Sequence, residues 1–359
     1  MMMTSKERVL NALNRKPTDR VPFATGFGMN QPVIEDLSVY LGKSESEVRD
    51  LMFGLSDMRW ISPKYTGPQD RVCQVGREEI DVWGVPRHKV SYGRGYYQEI
   101  SRFILGNIET IEELESYTFP DVSWFDYSSI SEQMAKHNDK NEYAIYFTAG
   151  NMFESAWYMR GFEQMFMDMY LNPELYHAIM EKVTDYFLAN AKCMFEHGNG
   201  LIDIAFTADD IGQQQGLLLS MEMFEEFIKP YHVKLNKVLH EYGMKVMFHT
   251  DGAVMDALES LIDMGVDILE ALQFDAKGMD PVLMAERCGD RLCYHGGISV
   301  QKTLPHGSVQ EVRDEVRHRI RVLGKNGGYI VAPSHCIQAG TPPENVVAFF
   351  EEATGVKIK

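Results

Sequence analysis

A chain of 359 residues that is 45% hydrophobic and 24% charged can bury a large core, and its length exceeds an ordinary small domain, although α/β barrels routinely pass about 250 residues as one unit. The formal net charge of −17 argues against nucleic acid or an anionic membrane surface as the main partner. The five cysteines are odd in number and form no CxxC pair, which disfavours a disulfide framework or a zinc ribbon, and neither a signal-like apolar start nor a run of about 18 apolar residues is present, so a soluble cytoplasmic protein is expected.

Thr4-Ser-Lys-Glu7 is a capping box, and Val9, Leu10 and Leu13 share a face behind it, which predicts an N-terminal helix ending near Lys16-Pro17. Val21 to Thr25 reads as a first strand opening into Gly26-Phe-Gly28. Ser44-Glu-Ser-Glu47 caps a helix to about Phe53, and Asp57 to Ser62 reads as a second strand. Residues 68–100 break the pattern: Val72 to Val75, Asp81 to Val85 and Tyr96 to Ile100 alternate between glycines, the mark of an inserted antiparallel β-hairpin region. A helix is expected over Ser128 to His137.

Beyond this the chain becomes regular. Strands are predicted at Tyr143 to Thr148, Ile202 to Thr207, Lys245 to His249, Asp267 to Leu272, Leu292 to Gly296 and Tyr329 to Pro333. Helices separate most of them: one from Asn172-Pro-Glu to Gly198, one capped by Ser220, one from about Val254 to Gly265, one from Ser308 to Leu323, and a last one opened by a capping box at Thr341-Pro-Pro-Glu344. Eight strands in alternation with helices predict an α/β fold, a (β/α)8 TIM barrel with an N-terminal helical extension, as one domain over residues 1–359. Gly26-Phe-Gly28 lacks the third glycine and following helix of a dinucleotide fingerprint.

The C-terminal strand ends of such a barrel carry its chemistry. They offer Asp209 and Asp210, then His249 and Asp251, then Glu270, then His295, then His335 and Cys336. His249, Glu270 and Cys336 form a chemically sensible zinc set that leaves a position open, with Asp251 as a fourth or exchanging ligand. Asp209 and Asp210, if buried together, would include one carboxyl of raised pKa able to act as acid or base, with His335 as a further catalytic candidate. Each has a plainer reading: a hydrogen-bonded loop histidine, a carboxylate capping a helix, a cysteine as a small apolar residue.

Thr4-Ser-Lys-Glu-Arg-Val-Leu-Asn-Ala-Leu13, Asp19-Arg-Val-Pro22, Phe248-His-Thr-Asp-Gly252, Gly296-Gly-Ile-Ser-Val-Gln301, Leu304-Pro-His-Gly-Ser308 and Thr341-Pro-Pro-Glu-Asn-Val346, in this order, resemble the uroporphyrinogen decarboxylase-like superfamily over essentially the whole chain. The resemblance implies a TIM barrel. The porphyrinogen decarboxylases of that superfamily carry an arginine-bearing segment after the first strand, whereas here Gly26-Phe-Gly-Met-Asn-Gln-Pro32 has none; His335 does sit where they have a late histidine. The corrinoid-linked methyltransferase branch binds zinc through a His-x-Cys pair at the fifth strand and a late Cys. His249 matches that His, Asp251 takes the place of the first Cys, Cys336 matches the late Cys, and Glu270 lies near an acidic position of the sixth strand. A carboxylate at 251 makes the ion harder than two thiolates would and favours an oxygen-containing substrate. The resemblance implies a zinc-dependent methyltransferase moving a methyl group between a small molecule and a corrinoid (cobalamin) held by a separate protein, with a homodimer allowed. The alternatives are a metal-free decarboxylase-like enzyme and a non-catalytic binding protein on the same barrel.

Overall fold

The computed structural model describes residues 3–358. Its centre is a curled parallel sheet of seven strands in chain order: Met58–Trp60, Ala144–Gly150, Ile204–Ala208, Lys245–His249, Ile268–Glu270, Cys293–Ile298 and Tyr329–Pro333. The eighth position is filled by residues 22–24, which pair too briefly to form a strand. Val331 N donates to Pro22 O at 2.9 Å, Ala24 N donates to Val331 O at 3.0 Å, and on the other side Asp57 N donates to Phe23 O at 2.8 Å. Those bonds join the last strand to the first and give the sheet its (β/α)8 barrel form.

Alternation along the strands sorts the core into two faces. Ala24, Met58, Ala144, Ile204, Met247, Ile268, Cys293, Ile330 and Ala332 cluster inside the barrel, together with Val9 and Leu13 of the helix Ser5–Leu13, which plugs its N-terminal end. The intervening Phe147, Ala205, Val246, Phe248, Leu269, Tyr294 and Val331 join the larger cluster against the surrounding helices. Strands buried on both faces must read as unbroken apolar runs, and Tyr329 to Pro333 is buried at every position.

The structure departs from expectation at several elements. A helix, Gln31–Leu41, follows the first segment where only loop was anticipated; Pro32 in its first turn and Gly42 in the left-handed C-cap are its signals. A second unexpected helix, Pro281–Cys288, starts at an Asp280 cap. The inserted region is a four-stranded antiparallel sheet rather than one hairpin: Cys73–Val75, Glu78–Ile80, Pro86–Ser91 and Tyr96–Ile100. The Thr341 capping box does not form. The last helix is Pro343–Thr354 with Pro342 at its cap, and the Thr341 hydroxyl donates to Gln338 O at 2.9 Å. Among the described residues no helix is long and apolar enough to cross a bilayer.

The barrel's closure is reinforced by one buried carboxylate. Asp57, fully buried, accepts from Arg8 Nη1 at 2.6 Å, Arg20 Nη1 at 2.8 Å, Ser5 Oγ at 2.7 Å and the Phe23 backbone N–H at 2.8 Å. It ties the plugging helix, the short eighth segment and the first sheet strand at one point. Removing it leaves the buried Phe23 amide without its acceptor and takes a carboxylate from Arg20 and from Arg8, which keeps its pair with Asp19, so Asp57→Ala is expected to lower unfolding free energy by about 2–4 kcal/mol. Urea denaturation of the variant beside wild type measures this, and a loss well under about 1 kcal/mol would mean the cluster does not hold the seam.

Candidate active site

The inward face of the sheet changes character at its C-terminal end. Met247, Ile268 and Cys293 sit side by side in register at one level. Two residues on, the level above holds His249, Glu270 and His295. His249 pairs with Glu270 in the parallel register, so the alternation that buries the methionine also brings these two side chains together. His249 Nδ1 and a Glu270 carboxylate oxygen form a short hydrogen bond, and both residues are buried, at 7% and 1% exposure. Burial alone would push the imidazole down, but the charge and hydrogen bond of Glu270 outweigh it and the group ends well above its ordinary range. Burial alone would raise Glu270, and the same contact holds it below the usual carboxylate range. The other carboxylate oxygen lies 3.7 Å from His295 Nδ1, too far for a hydrogen bond.

The loop after His249 supplies Asp251, and the loop after Pro333 supplies His335. One ligand atom from each of His249, Asp251 and His335 lies within 4.8 Å of the other two. Asp251 Oδ1 is buried with no hydrogen-bond partner, and burial, opposed by His249 and His335, pushes this carboxyl up. A partnerless buried carboxylate oxygen beside two imidazoles is the environment a cation completes, and an N,N,O set suits zinc. With Nδ1 committed to Glu270, His249 is left with Nε2 for such an ion, the carboxylate–imidazole arrangement that orients metal-binding histidines. Phe27 packs against both rings, its centroid 4.9 Å from each.

Close loop packing makes this possible. A Cβ on Gly212 would stand 2.5 Å from Asp251 O, and one on Gly252, at φ +85°, would stand 2.4 Å from Gln213 N. The loops after the third and fourth sheet strands therefore interlock only with glycine at both places.

The remaining sequence candidates are distributed by side-chain direction. Cys336 turns away from the cluster: its thiol, pushed up to about 11 by burial, donates to Asn30 Oδ1 at 3.1 Å, and the neighbouring His335 holds the place anticipated for it. Glu270 stands behind His249 rather than among the three grouped residues. Asp209 and Asp210 diverge. Asp209, fully buried, accepts from the backbone N–H groups of Phe153 (2.9 Å) and Glu154 (2.7 Å) and meets His232 Nε2 at 2.6 Å. It is consumed in anchoring the N-terminus of the helix Met152–Arg160. Asp210 faces the site: its Oδ1 accepts from Asp251 N at 2.7 Å and lies 3.7 Å from His249 Nε2.

One group was not singled out from sequence. Glu154, on the helix that Asp209 anchors, is the carboxyl pushed up to about 7, by burial first and then by Asp209 and Asp210. His295, one of the strand-end residues the sequence offered, is buried, and its Nδ1 has no hydrogen-bond partner among the described residues. Beside the cluster lies a cavity of about 430 Å³ lined by Glu270 and His295, by Phe27, Phe53, Trp60, Tyr146 and Phe206, and by Met247 of the layer below.

Residues 88–356 match the sequence profile of the family described as uroporphyrinogen decarboxylase (URO-D). A methylated-thiol–coenzyme M methyltransferase of Methanosarcina mazei is 27% identical over 198 residues, 55% of this chain and 49% of the relative. A uroporphyrinogen decarboxylase of Geotalea daltonii is 29% identical over 187 residues, 51% of this chain and 50% of the relative. The chain thus spans about half the length of these curated relatives. A solved methyltransferase structure from Methanosarcina mazei aligns over 98% of both chains with a TM-score of 0.67 at 18% identity, a likeness of fold.

Glu154 yields a pH prediction. Its pKa in the fold, about 7, lies above the ordinary 4.5, so between those values the native state binds more protons than the unfolded chain, and stability falls as pH rises through that window. Glu154→Gln is expected to flatten this dependence and to stabilise the protein at pH 8, relative to wild type, by on the order of 1–3 kcal/mol. Urea midpoints of both proteins at pH 5 and pH 8 measure it; parallel curves would show that Glu154 ionises normally.

Proposed function

This chain belongs to the uroporphyrinogen decarboxylase family, and on that premise we propose that it is a zinc-dependent methyltransferase that moves a methyl group between a small substrate and a corrinoid carried by a separate protein. The observation that carries the reading is the donor set His249, Asp251 and His335, with an unpartnered buried carboxylate oxygen in its midst. The methyltransferase relative supports the reaction class. The decarboxylase relatives mark the other chemistry of the family, but no lysine or arginine is among the residues lining the cavity, so carboxylates of a polyanionic substrate would meet no cation there.

The residues have separable tasks. Glu270 fixes His249 by its Nδ1 and leaves Nε2 toward Asp251 and His335. Phe27 and Phe206 lie against the His249 ring and keep bulk water from it. When a methyl group leaves a heteroatom, both electrons of the broken bond stay behind; zinc in this site would offset that developing charge. The corrinoid, brought by its own protein over the open end of the barrel, would supply the methyl-carrying centre. Glu154, titrating near neutrality, is suited to hold or give the proton that balances the heteroatom.

Metal analysis of purified protein tests the proposal. Wild type is expected to carry about one equivalent of zinc, His249→Ala and His335→Ala to lose most of it, and Cys336→Ala to keep it. Methyl transfer to free cobalamin as surrogate acceptor is expected to fall with the metal. Zinc retained in both histidine variants would sink the assignment of the ligands, and zinc-free wild type with full methyl transfer would sink the metal's role.

A further inference from the structure

The wall of the cavity holds an unmatched pair. The hydrogen bond of Glu270 to His249 uses Oε2 and leaves Oε1 facing His295, and His295 Nδ1, on a side chain only 4% exposed, has no partner. The two atoms stand 3.7 Å apart, too far to bond each other, and one atom set to the side of both at about 2.8 Å from each, admitted by a small turn of the enclosed His295 ring toward the cavity, would bond both. The neighbouring carboxylate favours the imidazole tautomer with its proton on Nδ1, because a lone pair facing that oxygen would be repelled. The missing atom must therefore accept from an N–H and donate to a carboxylate. A hydroxyl does both; a carboxylate cannot donate, and an ammonium cannot accept.

The walls add the rest. Phe27, Phe53 and Trp60 line the cavity while remaining 45%, 48% and 53% exposed, so its entrance is aromatic, and Met58 and Met247 lie deeper. Arg59, beside Met58 and Trp60 on the same strand, points the other way: its guanidinium lies 3.9 Å from the Phe53 ring centre and 3.5 Å from that of Tyr143. Its Nη1 is spent on the Ser56 and Met58 carbonyls, both at 2.8 Å. No positive side chain is offered to a ligand anion, and the other Glu270 oxygen is already taken by the hydrogen bond to His249.

We infer that the cavity is a binding site for an uncharged, hydroxyl-bearing molecule with an aromatic or otherwise apolar body, whose hydroxyl bridges Glu270 Oε1 and His295 Nδ1. His295 is thereby a specificity-determining residue. The inference names the substrate class of the proposed methyltransferase and rests on that reading in placing the methyl substrate here. The class differs from the anionic molecules named for both kinds of relative, coenzyme M and uroporphyrinogen.

Ligand-observed NMR titration of the whole protein with phenol, toluene, benzoate and benzylamine tests it without partner or turnover. Phenol is expected to bind, toluene about ten-fold or more weaker, and benzoate and benzylamine weaker still. In His295→Leu the preference for phenol over toluene should fall to about one. In Trp60→Ala, a change at a half-exposed wall, both probes should weaken together. Toluene bound as tightly as phenol would mean the pair holds only water. Benzoate or benzylamine bound as tightly as phenol would overturn the charge argument. A phenol preference unchanged in His295→Leu, phenol binding unaffected by Trp60→Ala, or no phenol binding at all would each overturn the site. If phenol binds as expected while zinc and methyl transfer are absent, the proposed reaction fails and the subsite stands.

Discussion

The closure of the barrel across residues 22–24 is the constraint on which the rest depends. A parallel sheet of seven strands would leave two open edges, with backbone groups lacking partners. Three residues bridge them, bonded to Val331 on one side and Asp57 on the other. So short a segment has little hydrogen bonding of its own, and the buried Asp57 carboxylate, shared by Arg8, Arg20 and the Phe23 amide, supplies what pairing does not. The closure also aims the site. Phe27 leaves the segment and His335 leaves the last strand, and because those two chains are bonded neighbours their rings meet 4.9 Å apart, with His249 against the other side of Phe27. The seam is continued outward, where Met29 bridges Ile337 and Tyr92 of the inserted sheet, with Asn30 and Gln338, holds both sides.

Inside that frame, register does the selecting. Neighbouring parallel strands place inward residues of equal height side by side, so a change from apolar to ionisable at one height changes a whole layer. Met247, Ile268 and Cys293 pack without polar demands; one step up, His249, Glu270 and His295 must satisfy one another in the same confined space. Glu270 has two carboxylate oxygens and only His249 within bonding distance. The layer is therefore half solved by the protein alone, and its unsolved half faces the cavity.

Much of this was legible in the sequence because it is periodic. The eight strand positions, the plugging helix and its Thr4 cap follow from apolar spacing and turn chemistry, and His249 and Glu270 are inward because Met247 and Ile268 are. What failed lies where periodicity stops. Past a strand's last residue the backbone turns, and no pattern says whether His335 or Cys336 faces inward. Asp209 and Asp210 read as a pair, yet they point to opposite sides of the barrel wall, one consumed by a helix N-terminus and the other open to the site. The carboxyl raised to about 7 is Glu154, whose sequence neighbours give no sign of the two aspartates that reach it from the next strand. The helix Gln31–Leu41 hid behind a polar start, and the Thr341 hydroxyl turns back to Gln338 O instead of capping the helix.

The electrostatics of the site follow from the same geometry. Asp210, Asp251, Glu270 and Glu154 surround two imidazoles at the open end of the barrel, in a chain whose net charge is already −17. Like charges confined in low dielectric must be relieved. Each relief has a visible instrument: His249 holds a proton against Glu270, Glu154 keeps its own proton up to near neutrality, and Asp210 takes the Asp251 amide. Asp251 is the carboxylate left without one, since its buried oxygen has no donor. A divalent cation at Asp251, His249 and His335 would complete the series, releasing the proton from His249 Nε2 and leaving Glu270 bonded to a neutral ring. The carboxylate that sequence comparison set in place of a thiolate thus fits an environment where the excess to be neutralised is oxygen charge, and where a compact cation offsets it better than a further protonated side chain would.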